Sequence, residues 1–269
     1  RSYGGVQTSI YNALRSSQSS SPYYNKSTDA YCYIGTEKPN HDVVIVGWDD
    51  SYSKDNFNTD LEGDGAFICQ NSWGDNFGEN GFFYISYYDT NIGTHNVVYT
   101  DIENTDNYDH IYQSDLCGWV GQLGYNKDSI YGANVFTAEG NETLKAASFY
   151  ATGKDSQYEL YVVRQFEDET SLEKMIPVAS GKLGNAGYYT VDFNQGIEVD
   201  AGERYAVVLY IITPGSVHPM AIEYAADEAT ENVDLDDGES YISANGSKWV
   251  SVDTVEKSNL CIKAFSDNR

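Results

Sequence analysis

Alternation of apolar and polar positions recurs in short segments along most of the chain, and it predicts a mainly β protein. The segment "DVVIVGW" (42–48) is a continuous β-branched run, typical of a strand buried on both faces. The segment "AFICQNSWG" (66–74) alternates, and "GFFYISYY" (81–88) is aromatic and of strand type. We therefore expect three strands between residues 42 and 88.

The sequence pattern changes near residue 104. After the polar bridge "ENTDNYDH", short strand-like runs alternate with Gly, Asn and Asp turns as far as the C-terminus, which predicts a β-sandwich. We place the boundary near residue 108, so that the expected domains are residues 1–108 and 109–269. The strand-like runs are "YGANVF", "AASFYA", "YELYVVRQF", "YYTVDF", "RYAVVLYII", "MAIEYA" and "LCIKAF".

Three segments outside these runs have weaker signals. Val6, Ile10 and Leu14 recur at helical spacing, so periodicity alone allows a short helix over residues 6–15. Residues 16–40 are rich in Ser, Tyr, Asn and Pro and predict a loop. The acidic segment 50–65 lacks the Asp and Gly spacing of an EF-hand, and we expect it to be a solvated loop.

Composition and charge argue against several classes of function, namely nucleic-acid binding, membrane insertion and metal binding. The formal net charge of −25 repels phosphate backbones and anionic lipid, so we expect neither nucleic acid nor membrane insertion. No stretch is apolar over the length that a bilayer requires. With no Cys-x-x-Cys pair and no suitable histidine spacing, no metal or cofactor is expected. Of the four cysteines, Cys69 and Cys261 lie in apolar runs and are predicted to be buried.

One polar pair, Asn40-His41, opens the first apolar strand. A lone histidine at a strand end is more often a cap or a packing residue than a base. Asn71, however, closes the next strand, and antiparallel pairing would place it beside His41. Its amide could then accept from one ring nitrogen and direct the other outward, as in the base and orienting partner of a nucleophilic triad. Trp73 could shield that hydrogen bond from water.

The motifs that contain His41 and Asn71 resemble those of a known enzyme family. "NHDVVIVGWDD" followed by "AFICQNSWGDNFGENGFFYIS" resembles the C-terminal half of a papain-family cysteine peptidase, with Asp42 at a usual alanine and Phe77 at a usual tryptophan. The opening "YGGVQTSIY" resembles the Gly-Pro-Val strand of the family, which replaces the helical interpretation of residues 6–15 by a strand. The resemblance covers about residues 1–100 and implies the β-barrel-like half of a papain-like α+β fold.

The resemblance also implies roles and substrates. His41 would be the base that pairs with the thiolate, Asn71 would orient it, and Trp73 would line the leaving-group side of the cleft. Ser9 and Pro39 fall where the family builds its main specificity pocket. The substrates would be peptides or proteins.

The nucleophile of the family has no counterpart among the four cysteines. The family cysteine lies in a Cys-Gly-Ser-Cys-Trp context upstream of the histidine, with an oxyanion-hole glutamine before it. Cys32 is nearest to His41 in sequence, but on the strand side of the fold it would lack a helix dipole to lower its pKa. We therefore expect this chain to be a fragment whose partner is a Cys-bearing N-terminal half. By itself the fragment should not cleave peptides.

The order of the two expected domains also resembles a known arrangement. A papain-like domain followed by such a β-domain resembles bacterial secreted peptidases with a lectin-like module, which implies a jelly-roll-like sandwich and an extracellular or cell-surface location. Glycans would be further partners, and Trp119 or Trp249 could stack on sugars, although aromatic residues of a sandwich more often fill its core. The alternative is a non-catalytic carbohydrate- or surface-binding protein that retains an inactive peptidase remnant.

Overall fold

The computed structural model describes residues 4–17 and 19–269, except for the side chain of residue 253. Its regular structure is almost entirely β, with three short 3-10 helices beside the strands, so the predicted mainly β class is confirmed. The chain separates into two compact units, which divide between Glu103 and Asn104. No helix in these described ranges is long and apolar enough to cross a membrane.

The first unit is built on one seven-stranded sheet. Its strands are β1 (Val6–Ile10), β2 (Tyr24–Asn25), β3 (Ala30–Tyr31), β4 (His41–Asp49), β5 (Ala66–Gln70), β6 (Phe82–Ser86) and β7 (Thr94–Val97). Their spatial order is β2-β3-β6-β5-β4-β1-β7, and neighbouring strands are antiparallel, except that β3 and β6 are parallel. Within the described residues the sheet is open and does not close into a barrel.

Strand β1 replaces the helix that periodicity alone allowed. Its residues pair with β4 from Val6 opposite Ile45 to Ile10 opposite His41, and on its other edge with β7. The sheet thus satisfies the backbone N–H and C=O groups of β1 on both sides, and three apolar positions at helical spacing do not outweigh that pairing. The family resemblance therefore gave the right structure for this segment.

Aromatic side chains fill the core of the first unit. Phe77 is 2% exposed and lies at the centre of this cluster. Its ring stacks on Tyr24 at a centroid distance of 5.5 Å and meets Trp73 and Phe83 edge-on at 5.1 and 5.2 Å. Further buried members of the same core are Ile10, Leu14, Tyr31, Tyr33, Val43, Cys69 and Ile85.

The segment 50–65 differs from the solvated loop expected from its composition. It contains a 3-10 helix, Lys54–Asn56, whose first turn is capped by the Ser53 hydroxyl. Phe57 and Leu61 follow it and are buried against Ala30, Cys32 and Ala66. The prediction of a solvated loop therefore holds for most of the segment but not at Phe57 and Leu61, where two apolar residues among many acids anchor it over the sheet.

The second unit is a β-sandwich. The strands are β8 (His110–Tyr112), β9 (Gly121–Leu123), β10 (Ser129–Thr137), β11 (Glu142–Ala151), β12 (Ser156–Val163), β13 (Ile176–Leu183), β14 (Gly187–Val199), β15 (Arg204–Ile212), β16 (Met220–Glu223), β17 (Glu239–Ser243), β18 (Val250–Ser251), β19 (Asn259–Leu260) and β20 (Ile262–Asn268). The six-stranded sheet has the order β13-β12-β15-β10-β17-β18, the four-stranded sheet the order β14-β11-β20-β8, and a small third sheet the order β19-β16-β9.

One large apolar core joins the strands of this second unit. Side chains from β11, β12, β15 and β20 meet in it, including Phe149, Leu160, Leu209 and Ile262, and each of these four is at most 1% exposed. The alternation along β15, with Val207, Leu209 and Ile211 in this core, is the strand period that the sequence indicated. Two other 3-10 helices, Glu169–Glu173 and Val252–Thr254, complete the regular structure of the described residues.

Candidate active site

His41 and Asn71 meet where two antiparallel strands end. His41 is the first residue of β4, and Asn71 directly follows the last residue of β5, with Val44 of β4 opposite Gln70 of β5. The His41 Nε2 and Asn71 Oδ1 atoms lie 2.9 Å apart. Since an amide oxygen can only accept, Nε2 is assigned the proton and Nδ1 carries a free lone pair. The hydrogen bond expected from antiparallel pairing is thus present.

Asn71 is held rigidly in this orientation. The residue is 8% exposed, and its backbone N–H donates to the carbonyl of Gly81 at 3.0 Å. Its side-chain oxygen also accepts the backbone N–H of Ser72 at 2.8 Å. A rotated amide would direct its NH₂ group at both donors, so the oxygen remains directed at His41.

Trp73 covers one side of the imidazole. The two ring centroids are 5.4 Å apart with an interplanar angle of 34°. Trp73 is itself fixed by its edge-on contact with the buried ring of Phe77. The indole therefore excludes water from one side of the histidine, where the His41–Asn71 hydrogen bond gains strength from the lower local dielectric.

A pair of asparagines fixes the chain just before His41, and the sequence did not reveal its role. The backbone N–H of Asn12 donates to Asn40 Oδ1 at 2.7 Å, and Asn40 Nδ2 donates to the Asn12 carbonyl at 3.2 Å. The backbone N–H of Asn40 also donates to the Ile10 carbonyl at 3.0 Å. Asn40 was visible as part of the histidine motif, but its partner Asn12 follows a different strand and only the β1–β4 register joins them.

An open cavity of about 480 Å³ lies beside the imidazole. It falls within the size range of ligand-binding pockets. None of the described residues that line it is a cysteine. The lining residues are Tyr11, Asn12, Ala13, Leu14, Arg15, Asn40, His41 and Trp73.

Ser9 and Pro39 do not line this cavity. Ser9 lies opposite Asp42 in the β1–β4 register, and its hydroxyl donates to Asp42 Oδ1 at 2.7 Å. Successive residues of a strand point to opposite faces, so Ser9 and Asp42 lie on the face opposite His41. Pro39 is half-buried in the segment before β4. The structure therefore brings together His41, Asn71 and Trp73, whereas Ser9 lies on the other face of the sheet and Pro39 is outside the lining of this cavity.

The two thiols of the first unit are not poised for nucleophilic attack. Cys32 and Cys69 are both 0% exposed and free of disulfides. Burial raises the pKa of Cys32 to about 12 and shifts the pKa of Cys69 in the same direction. Both groups therefore remain protonated near neutral pH, where only a thiolate would attack a carbonyl.

Two family models match the chain. Residues 6–102 match the model of the papain family of cysteine proteases, and residues 111–266 match that of the lectin-like domain. The chain belongs to the lectin-like domain family and carries the C-terminal part of a papain-family protease domain. The match to the papain family places the first unit in a hydrolase lineage.

Two solved structures of a clostridial cysteine protease superimpose on almost the whole chain. The clostridial cysteine protease Cwp84 after propeptide cleavage superimposes with a TM-score of 0.82 at 29% identity, over 99% of this chain and 66% of that one. The protease and lectin-like domains of Cwp84, a surface layer associated protein of Clostridium difficile, give 0.79 at 27% identity, over 99% and 59%. This chain thus spans less than two thirds of either. No curated protein sequence matches it significantly.

Proposed function

We propose that the first unit supplies the base and the orienting amide of a papain-type cysteine peptidase that acts on peptides or proteins. The hydrogen bond of 2.9 Å between His41 and Asn71, which leaves Nδ1 free, is the observation that carries this proposal. A free Nδ1 can accept the proton of a thiol and form an imidazolium–thiolate pair. It can then donate that proton to the leaving amine after attack on the peptide carbonyl.

The attacking thiol and the oxyanion donor belong, in this proposal, to polypeptide outside these 269 residues. The cavity beside His41 has no cysteine among its described lining residues, and the thiols of the first unit are buried and protonated. The Cys-bearing half would dock beside His41 and Trp73 and bring its thiol to Nδ1. Without that half, the chain keeps the base but makes no covalent intermediate.

Thiol alkylation tests the origin of the nucleophile. In the isolated chain we expect iodoacetamide at pH 7 to modify only the exposed Cys117, and slowly, because partial desolvation and the neighbouring Glu223 carboxylate raise the pKa of that thiol. The complete protein should contain one additional thiol that reacts at least tenfold faster, and His41→Ala should remove this advantage. Peptide mapping by mass spectrometry identifies the modified residue. Rapid, His41-dependent alkylation of Cys32, Cys69, Cys117 or Cys261 would refute the proposal.

For the second unit we propose an accessory role in carbohydrate attachment outside the cell or at its surface. The match to the lectin-like domain supports this role, and so does the description of Cwp84 as surface layer associated. The formal net charge of −25 fits exposure to an aqueous exterior and disfavours anionic ligands.

A further inference from the structure

The outer face of the six-stranded sheet carries a group of tyrosines that we name the tyrosine platform: Tyr131, Tyr161 and Tyr210. Tyr131 on β10 and Tyr210 on β15 are direct cross-strand partners. Their rings stack with centroids 4.2 Å apart and an interplanar angle of 22°. The pair therefore presents nearly parallel aromatic faces in the middle of the sheet rather than at its edge.

The platform lies outside the main core. Along β15, Leu209 and Ile211 point into the sandwich, so Tyr210 between them points outward. Phe166, Leu172 and Val208 belong to a small buried cluster on this outer face, against which Tyr131 and Tyr161 pack. Tyr131 also meets Trp249 edge-on, with ring centroids 6.2 Å apart. All three platform tyrosines nevertheless remain only half-buried. Cross-strand pairing accounts for the stack of Tyr131 on Tyr210, but it does not by itself account for leaving three rings partly in water.

An exposed carboxylate borders the platform. Glu159 on β12 lies opposite Tyr210, and the Tyr161 hydroxyl donates to the Glu159 carboxylate. Burial is the main cause that raises the pKa of Tyr161, and the hydrogen bond with Glu159 is the second. The Glu159 carboxylate also contributes to the raised pKa of Tyr131. Phenol hydroxyls, which donate and accept, thus adjoin a group that only accepts.

A small recess with a mainly apolar lining, to which Gln157 contributes an amide, continues the same surface. Gln157 lies two residues from Glu159 on β12 and therefore points to the same face. It lines a cavity of about 290 Å³, close to the lower size limit of small-molecule sites. The other lining residues are Asp155, Lys182, Leu183, Gly184 and Pro214.

We propose that the tyrosine platform, Glu159 and the recess at Gln157 form a binding face for a neutral polysaccharide. The C–H face of a sugar ring stacks on Tyr210, while its hydroxyls bond to the Glu159 carboxylate and the Gln157 amide. The exposed carboxylate and the net charge of −25 select against uronic acids and phosphorylated sugars. This inference deepens the carbohydrate role proposed above and is independent of the peptidase role.

Affinity electrophoresis of the complete 269-residue chain tests the site. The gels contain soluble neutral polysaccharides (mannan, dextran or hydroxyethyl cellulose) or acidic polygalacturonate. We expect retardation by at least one neutral polymer, at least tenfold weaker binding for Tyr210→Ala, and near-normal binding for Tyr210→Phe, which keeps the ring. The matched control is Tyr188→Ala, since Tyr188 is 45% exposed on β14 of the other large sheet.

Two measurements distinguish loss of the fold from loss of the binding site. Thermal unfolding of Tyr210→Ala within a few degrees of the parent chain establishes that the fold is kept, and Tyr210→Phe reports on the ring if Tyr210→Ala does not fold. The proposal is overturned if Tyr210→Ala still binds, or if Tyr188→Ala loses binding instead. It is also overturned if no neutral polymer is bound, or if only polygalacturonate is bound. His41→Ala should bind polysaccharide normally, so a failure of the peptidase proposal would leave this result unchanged.

Discussion

In the complete peptidase proposed above, in which a Cys-bearing half adjoins this chain, replacement of His41 by alanine should lower kcat/KM by about 10⁴-fold or more. The variant removes the Nδ1 atom that accepts the thiol proton and returns it to the leaving amine, so both halves of the reaction lose their proton carrier. Initial rates of fluorogenic peptide hydrolysis give this ratio. Folding should persist, because His41 lies at the start of a strand that β1 and β5 already hold.

His95→Ala provides the matched control. His95 is an exposed histidine on β7 of the same sheet, and the cavity beside His41 does not include it. We expect its kcat/KM to stay within about twofold of the parent enzyme, as for a surface substitution away from the site. Activity of the His41→Ala enzyme within tenfold of the parent would show that another group acts as the base.

The replacement of Phe77 by alanine should destabilise the first unit by about 3–5 kcal/mol. Phe77 is 2% exposed and contacts Tyr24, Trp73 and Phe83, so its removal leaves a cavity that rigid aromatic neighbours cannot fill. Hydrogen exchange measured by mass spectrometry should show faster exchange in β5 and β6, and little change in the strands of the sandwich.

Tyr99→Ala is the control for this prediction. Tyr99 lies in the same unit, is 66% exposed and is outside the core around Phe77. Its replacement should change stability by no more than about 0.5 kcal/mol. Equal exchange in the two variants would mean that the Phe77 cluster does not determine the stability of the unit.

The pairing of His41 with Asn71 was accessible from sequence for a physical reason. The β-branched run after His41 and the alternating run before Asn71 both predict strands, and adjacent antiparallel strands bring the start of one beside the end of the next. The motif residues around them then narrowed the chemistry to one family. The sandwich followed in the same way from regular short runs separated by turns, as β10 to β17 now show.

Other features depended on long-range register, which no local pattern encodes. Asn12 meets Asn40, and Ser9 meets Asp42, only because β1 pairs with β4 in one specific alignment. The burial of Phe57 within an acidic loop depends equally on the surface of the sheet beneath it. The stack of Tyr131 on Tyr210 required both the β10–β15 register and the knowledge of which face the 164–175 segment leaves uncovered.

The tautomer of His41 is the most direct test of the central claim, and it can be measured on the 269-residue chain. ¹⁵N NMR of the neutral imidazole should show the proton on Nε2. Asn71→Ala should shift the ring toward a mixture of tautomers, whereas Asn96→Ala, an exposed asparagine on β7, should leave it unchanged. A neutral imidazole with its proton on Nδ1, or a tautomer that does not respond to Asn71→Ala, would contradict the account.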